Sequence, residues 1–154
     1  MVNPARLAGK VLVGNRKALH LYEILERFEA GIELQGSEVK SLRDGQASMT
    51  DSYALVKTGE LWLMHLHINP YPQAGRQNPD PDRNRRLLMH RPEISRLAGK
   101  VSQRGLTLVP LTIYLKERRV KLELALARGK HTYDKKQTLK ERDLRRESDQ
   151  QAKG

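Results

Sequence analysis

The stretch "LTLVPLTIYLKERRVKLELALARG" (106–129) constrains the fold more than any other part of the chain. Val120, Leu122, Leu124 and Leu126 alternate with Lys121 and Glu123, the period of a strand with one face in a core. "KERR" lies between this run and the apolar run before it, so the segment predicts an antiparallel hairpin. Its apolar face needs a cover that the hairpin cannot supply. Pro110 has no N–H to give a ladder and is expected at an edge or a bulge.

The cover must come from upstream. "SYALVKTGELWLMHLHI" (52–68) reads as two more strands with a tight turn around Lys57–Glu60, and Trp62, Met64, Leu66 and Ile68 on one face. Residues 18–34 carry two periods at once. Tyr22, Ile24, Phe28, Ala30, Ile32 and Leu34 alternate as in a strand, while Leu21, Ile24, Leu25, Phe28 and Ile32 also fit a helical stripe. Gly31 and the outward phase of Glu29 and Glu33 lean toward strand.

Two short helices interrupt the strands. In "GSEVKSLRDG" (36–45), Ser37 is the candidate N-cap, Val39 and Leu42 form a ridge, and Gly45 ends the helix. The second follows Pro92, with Ile94, Leu97, Ala98 and Val101 on one stripe and Gly105 as its stop. The chain is therefore expected to be mainly β with inserted helices, and a small closed β-barrel of the oligonucleotide-binding (OB-like) type over 15–129 covers every sheet face most economically. Residues 1–14, broken by Pro4, Gly9 and Gly14, read as a flexible basic arm. Residues 69–86 read as a long loop of proline and polar residues with almost nothing to bury.

A chain of 154 residues fits one compact domain with appendages. Its 29 Lys and Arg exceed its 18 Asp and Glu by 11, which favours a polyanionic partner, nucleic acid before an anionic membrane. There is no cysteine, hence no disulfide framework and no thiolate metal site. The N-terminus holds no apolar run longer than "VLV", so neither a signal peptide nor a membrane span is expected and the reading is cytoplasmic.

Catalysis finds no support in the motifs. His65 and His67 lie two apart on an expected strand, but no spacing of His20, His90 or His131 completes a zinc site, so no metal and no cofactor are expected. Asp80 and Asp82 suit turns in the proline loop better than paired acid–base work. No phosphate-binding glycine loop and no zinc-protease motif occurs. A basic RNA hydrolase is the competing reading from another class. A general single-strand binder is another, although the aromatic residues fall mostly at core positions and leave few stacking platforms.

"RNRRLLMHR" (83–91) sets Arg83, Arg85, Arg86, His90 and Arg91 around Leu87, Leu88 and Met89. Two readings stand: an RNA-binding patch pairing guanidinium groups with phosphates, or the lead-in to a helix whose leucines are core. The tail, 130–154, is basic and nearly coreless. Thr138 with Glu141 forms a capping box and Glu141 with Arg145 a favourable pair, so a helix has a start signal. Ordering each residue costs on the order of 1–2 kcal/mol. Leu139 and Leu144 return at most ~1.5–3 kcal/mol apiece on burial. The tail is expected to be disordered when free and to fold against a partner.

Three segments carry a resemblance: "NRKALHLYEILERFEAGIELQGSEVKSLRDGQASMTDSYA" (15–54), "RRLLMHRPEI" (85–94) and "ARGKHTYDKK" (127–136). They resemble the small protein B family, bacterial partners of transfer-messenger RNA. "FEAGIELQGSEVKSLR" is the most specific piece. The resemblance implies an OB-like barrel and resolves 18–34 as largely strand. It also implies a non-enzymatic adaptor that binds the tRNA-like domain of transfer-messenger RNA and delivers it to stalled ribosomes. On the ribosome the tail becomes helical, occupying the decoding centre and the empty mRNA channel. The positions it marks for the tRNA-like domain are Asn15, Glu29, Leu88 and Lys121, with Arg85, Arg86 and His90 from the basic patch. For the ribosome it marks Arg128, Lys130, His131, Tyr133, Asp134, Lys135 and Lys136. His90 stands where members often carry Asn, and His131 where they usually carry a fixed positive charge.

Overall fold

The computed structural model describes residues 10–102 and 105–130. The elements run β1 (Lys10–Gly14), α1 (Arg16–Leu21), β2 (Tyr22–Ile32), α2 (Gly36–Arg43), β3 (Ala47–Ser48), β4 (Tyr53–Lys57), β5 (Glu60–Met64) and β6 (His67–Ile68). A 3₁₀ segment (Pro72–Gln77) follows, then β7 (Arg85–Leu88), α3 (Arg91–Val101), β8 (Leu106–Lys116) and β9 (Arg119–Gly129). The protein is mainly β.

Seven strands share one antiparallel sheet in the order β1-β8-β4-β5-β7-β2-β9, and β8 also pairs with β9. The hydrogen-bonded path thus returns to β8. It can do so because β8 is long: Leu108 in its first half pairs with Ala54 of β4, while Thr112 to Leu115 in its second half pair with β1. Pro110 falls at the register break between the two, where its missing N–H leaves no gap in a regular ladder. The turns of both hairpins are two residues long. Thr58 and Gly59 join β4 to β5, and Glu117 and Arg118 join β8 to β9, all four with positive φ, as the right-handed twist of paired strands requires.

The inward faces of β2, β5, β7, β8 and β9 supply Ala30, Ile32, Leu61, Leu63, Leu87, Leu108, Ile113, Leu122, Leu124 and Leu126, and Ile94 and Leu97 of α3 pack among them. A second, smaller core lies outside the sheet. Ala18 of α1 covers Val109 and Leu111 of β8 and Ala125 and Ala127 of β9. This explains why β9 ends on buried alanines in its outward phase: only small side chains let α1 lie so close.

Several expectations need correction. Residues 10–14, read as part of a loose arm, form β1, because Val11 and Val13 find a free edge on the second half of β8; residues 1–9 lie outside the described residues. The strand period is the one that holds over most of 18–34: β2 takes in Ile24, Leu25, Phe28 and Ile32 of the helical stripe and leaves only Leu21 to the six-residue α1. Ser37 does not cap α2; Gln35 is the N-cap residue, and its backbone N–H donates to Glu38 Oε1 at 2.9 Å. Trp62 and Met64 do not share a face with Leu66 and Ile68. Leu61 and Leu63 are the fully buried residues of β5, and the strand stops before His65, whose φ of 61° turns the chain and swaps its phase. For the same reason His65 and His67 are not neighbours on one strand face; His67 Nδ1 lies 2.7 Å from Asp82 Oδ1, within the turn that Asp80 closes by accepting the Asp82 N–H. The span 69–86 is not one loop, since Arg85 and Arg86 already belong to β7.

No helix among the described residues is long and apolar enough to cross a membrane. Nor do three His, Asp or Glu side chains among them converge as a metal site.

Candidate nucleic-acid interface

The outward face of the β7–β2–β9–β8–β1 surface brings together residues far apart in the chain. Leu88 pairs with Gly31, Gly31 with Lys121, Lys121 with Tyr114, and Tyr114 with Val11. One row therefore reads Leu88–Gly31–Lys121–Tyr114–Val11 across five strands. Leu88 and Val11, at its two ends, are exposed apolar side chains. Gly31 is what lets Leu88 lie flat on the sheet, because a Cβ there would stand 3.3 Å from Leu88 Cβ. Among the described residues Lys121 makes no ion pair within 4 Å, and its charge acts on Glu29 from a longer distance.

Glu29 lies beside this row, directly across from Glu123. Its carboxylate is held from two sides. The Tyr114 hydroxyl donates to Oε2 at 2.5 Å, and Lys116 Nζ lies 3.2 Å from the same oxygen. The Tyr114 hydrogen bond, aided by Lys116 and Lys121 and opposed by partial burial, lowers the pKa of Glu29 below the usual carboxylate value. Burial chiefly, then the same bond to Glu29, pushes the Tyr114 phenol well up. At neutral pH Glu29 is thus a fixed, ionised acceptor. Glu123 behaves in the opposite way: burial raises its pKa, and Arg27, 3.6 Å away, only partly offsets this.

Other expected site residues occupy different surroundings. Asn15 is buried and caps α1: its Oδ1 accepts the Ala18 N–H at 3.2 Å, and its amide donates to the Pro110 carbonyl at 2.9 Å and more weakly to that of Met49. It positions α1 and presents no free polar group. Arg85 requires a full correction. It has no exposed surface and faces the core, because β7 alternates Arg85 and Leu87 inward with Arg86 and Leu88 outward. Its guanidinium donates to Glu38 at 3.0 and 2.7 Å and to the carbonyls of Leu66, Arg83 and Pro81. Glu38 also accepts from Arg83 Nε and Nη2 and is itself buried.

Arg86 is half-exposed between Glu33 and Glu60, and His90 is exposed at the N-cap of α3 without a side-chain cap bond. Arg128 pairs with Glu23 across the β2–β9 ladder, and Lys130 donates to the Leu19 carbonyl. His131, Tyr133, Asp134, Lys135 and Lys136 lie outside the described residues. The sequence reading missed Gly31 as a site residue and missed Tyr114 altogether. A glycine inside a long strand is a sign of close approach, whereas Tyr114 carries no signal, since its partner lies 85 positions away.

Chemically, the row combines a flat apolar patch for a sugar or base face, a lysine for a phosphate, and a rigid carboxylate able to accept from a base amino group. The family described as SmpB protein matches residues 12–154. The SsrA-binding protein of Oleidesulfovibrio alaskensis is 54% identical over 140 residues, 91% of this chain and 90% of the relative. That of Geobacter sulfurreducens is 52% identical over 138 residues, 90% of each chain. Among solved structures, one described as "tmRNA-SmpB: a journey to the center of the bacterial ribosome" is 53% identical, with a TM-score of 0.69, covering 86% of this chain and 94% of the other.

Proposed function

Because this chain belongs to the SmpB protein family, we propose that it is an RNA-binding adaptor for transfer-messenger RNA that acts in trans-translation on stalled ribosomes. The row Leu88–Gly31–Lys121 with Glu29 beside it carries the reading. It gathers three of the positions expected to meet the tRNA-like domain onto one face. Lys121 neutralises a phosphate, Leu88, lying over Gly31, accepts an apolar sugar or base face, and Glu29 selects for a donor. Arg86 shares the outward phase of β7 with Leu88, His90 follows two residues beyond it, and Asn15 acts by holding α1.

The circuit of strand pairings supports a closed, OB-like barrel as the scaffold. The protein works in the cytoplasm as a non-enzymatic adaptor, with no cofactor. Arg128, Lys130 and the tail from His131 to Lys136 engage the decoding centre, and the rest of 130–154 becomes helical in the empty mRNA channel, where ribosomal RNA supplies the interactions the tail lacks by itself.

The test is Lys121→Ala against the tRNA-like domain. Affinity should fall, and the slope of log K against log salt should flatten by about 0.9, one phosphate's share. An unchanged slope would refute the phosphate contact. Removing residues 130–154 should spare this binding and abolish rescue on ribosomes; loss of binding in solution would overturn the division of labour.

A further inference from the structure

The proline-rich span that the interface leaves unused is not slack. The Tyr71 N–H donates to Asn78 Oδ1 at 2.9 Å, while the Asn78 amide donates back to the carbonyls of Tyr71 and Gly75 at 2.9 and 3.0 Å. Asn78 thus clasps residues 71–78 into a loop, with Gly75 at φ 53° making its sharp bend. Asn69, just before it, is tied to Gln46 by a backbone bond and a side-chain bond, each of 2.9 Å. This construction stands Tyr71 against α2, where Lys40 Nζ lies over its ring, 5.5 Å from the centroid.

Between α2 and this loop opens a cleft of about 350 Å³. Gln35, Ser37 and Lys40 form one wall, and Tyr71, Gln73 and Gln77 the other. Its only charge is positive. The acid of α2, Glu38, is turned away, held by Arg83 and Arg85. The Ser37 hydroxyl is enclosed and has no hydrogen-bond partner.

We propose that this cleft binds a single unpaired nucleotide of a structured RNA, as a second contact apart from the β-sheet row. The inference rests on the RNA-binding reading above. The lining residues match that ligand and no simpler one. An inorganic anion would use Lys40 and waste three amides, and a hydrocarbon would strand them. A nucleotide uses each group: glutamine amides donate to and accept from base edges, the tyrosine ring offers a stacking face, and the flexible lysine swings from the ring to the phosphate. The volume lies in the lower part of the range for small-ligand pockets, roughly 300–1,000 Å³. None of these residues belongs to the row around Lys121, so the two contacts can be occupied together.

The nucleotide can come from transfer-messenger RNA or from ribosomal RNA, and two arms separate these sources. The full chain is titrated with the tRNA-like domain in one arm and with isolated small ribosomal subunits in the other, each with chemical probing of the RNA. Gln73→Ala/Gln77→Ala alters two exposed side chains and should leave the melting temperature unchanged; Lys40→Ala is the second variant. In one arm, both variants should weaken binding by about tenfold, and one nucleotide protected by the wild type should regain reactivity. Wild-type affinity and reactivity in both arms overturn the proposal. So does a loss of equal size in both arms accompanied by a lower melting temperature, which marks a folding defect. If the cleft variants are silent while Lys121→Ala weakens the first arm, the cleft falls and the adaptor reading stands. If the wild-type protein binds neither RNA, both fall.

Discussion

Glu38→Gln is the perturbation that most directly tests how this fold is held. The substitution keeps the side-chain volume, so it opens no cavity, and it removes a buried negative charge. Arg85, with no exposed surface, then loses the one carboxylate bonded to it among the described residues. Arg83, whose side chain is 28% exposed, can turn to water; Arg85 cannot. The new amide also sets an N–H₂ donor against a guanidinium donor. Removing one partner of a buried pair costs about 3–5 kcal/mol, mostly because the other charge remains. For a domain of this size, that is a drop in melting temperature on the order of 10–20 °C. Thermal and urea unfolding followed by far-ultraviolet circular dichroism would measure it. Arg83→Ala should cost distinctly less, and Glu38→Leu combined with Arg85→Met should recover much of the loss. The pH dependence has a definite sign. Burial works against the Glu38 charge, but bonds from Arg83, the Gln35 N–H and Arg85 outweigh it, so its folded pKa lies below the ordinary one. The stabilisation is therefore complete above the unfolded carboxylate value, about 4.3, and is lost as pH falls through the folded pKa. The gap between wild type and variant should narrow in that acid range. If Glu38→Gln unfolds within about 1 kcal/mol of wild type at pH 7, the account of Arg85 as a charge dependent on this pair is refuted.

Tyr114→Phe removes the hydrogen bond that most lowers the Glu29 pKa; it should cost about 1–2 kcal/mol at neutral pH and return that pKa, read by NMR titration, toward the ordinary value. Because a lowered carboxylate pKa contributes fully above its unfolded value and loses its contribution as pH falls through the folded one, the cost of this variant should also shrink in acid. Asn15→Asp keeps the acceptor for Ala18 but turns a carboxylate toward the Pro110 carbonyl, so it should destabilise more than Asn15→Ala, itself about 1–3 kcal/mol; equal melting temperatures would contradict the amide's role. Gly31→Val should weaken binding of the tRNA-like domain through displacement of Leu88, in a protein whose circular dichroism spectrum stays that of the wild type.

Local pattern made much of this protein legible in advance. The hairpins at 53–64 and 106–129, the two later helices and the bulge at Pro110 follow from side-chain period and from missing donors, which act over a few residues. The basic surplus and the placing of Glu29 and Lys121 on outward phases are likewise local properties. "RRLL" shows where such reading stops. Composition alone makes Arg85 and Arg86 equivalents, and the strand period sends them to opposite faces without saying which face is which.

That choice belongs to partners distant in the chain. Glu38, 47 positions away, can neutralise a guanidinium in the core, so Arg85 turns inward and Leu88 is left outside beside Gly31. Tyr114 reaches Glu29 across 85 positions in the same manner. An alternating strand fixes its own two faces by sterics alone. Which of them meets water depends on what the paired strands and helices bring opposite, and no local period carries that information.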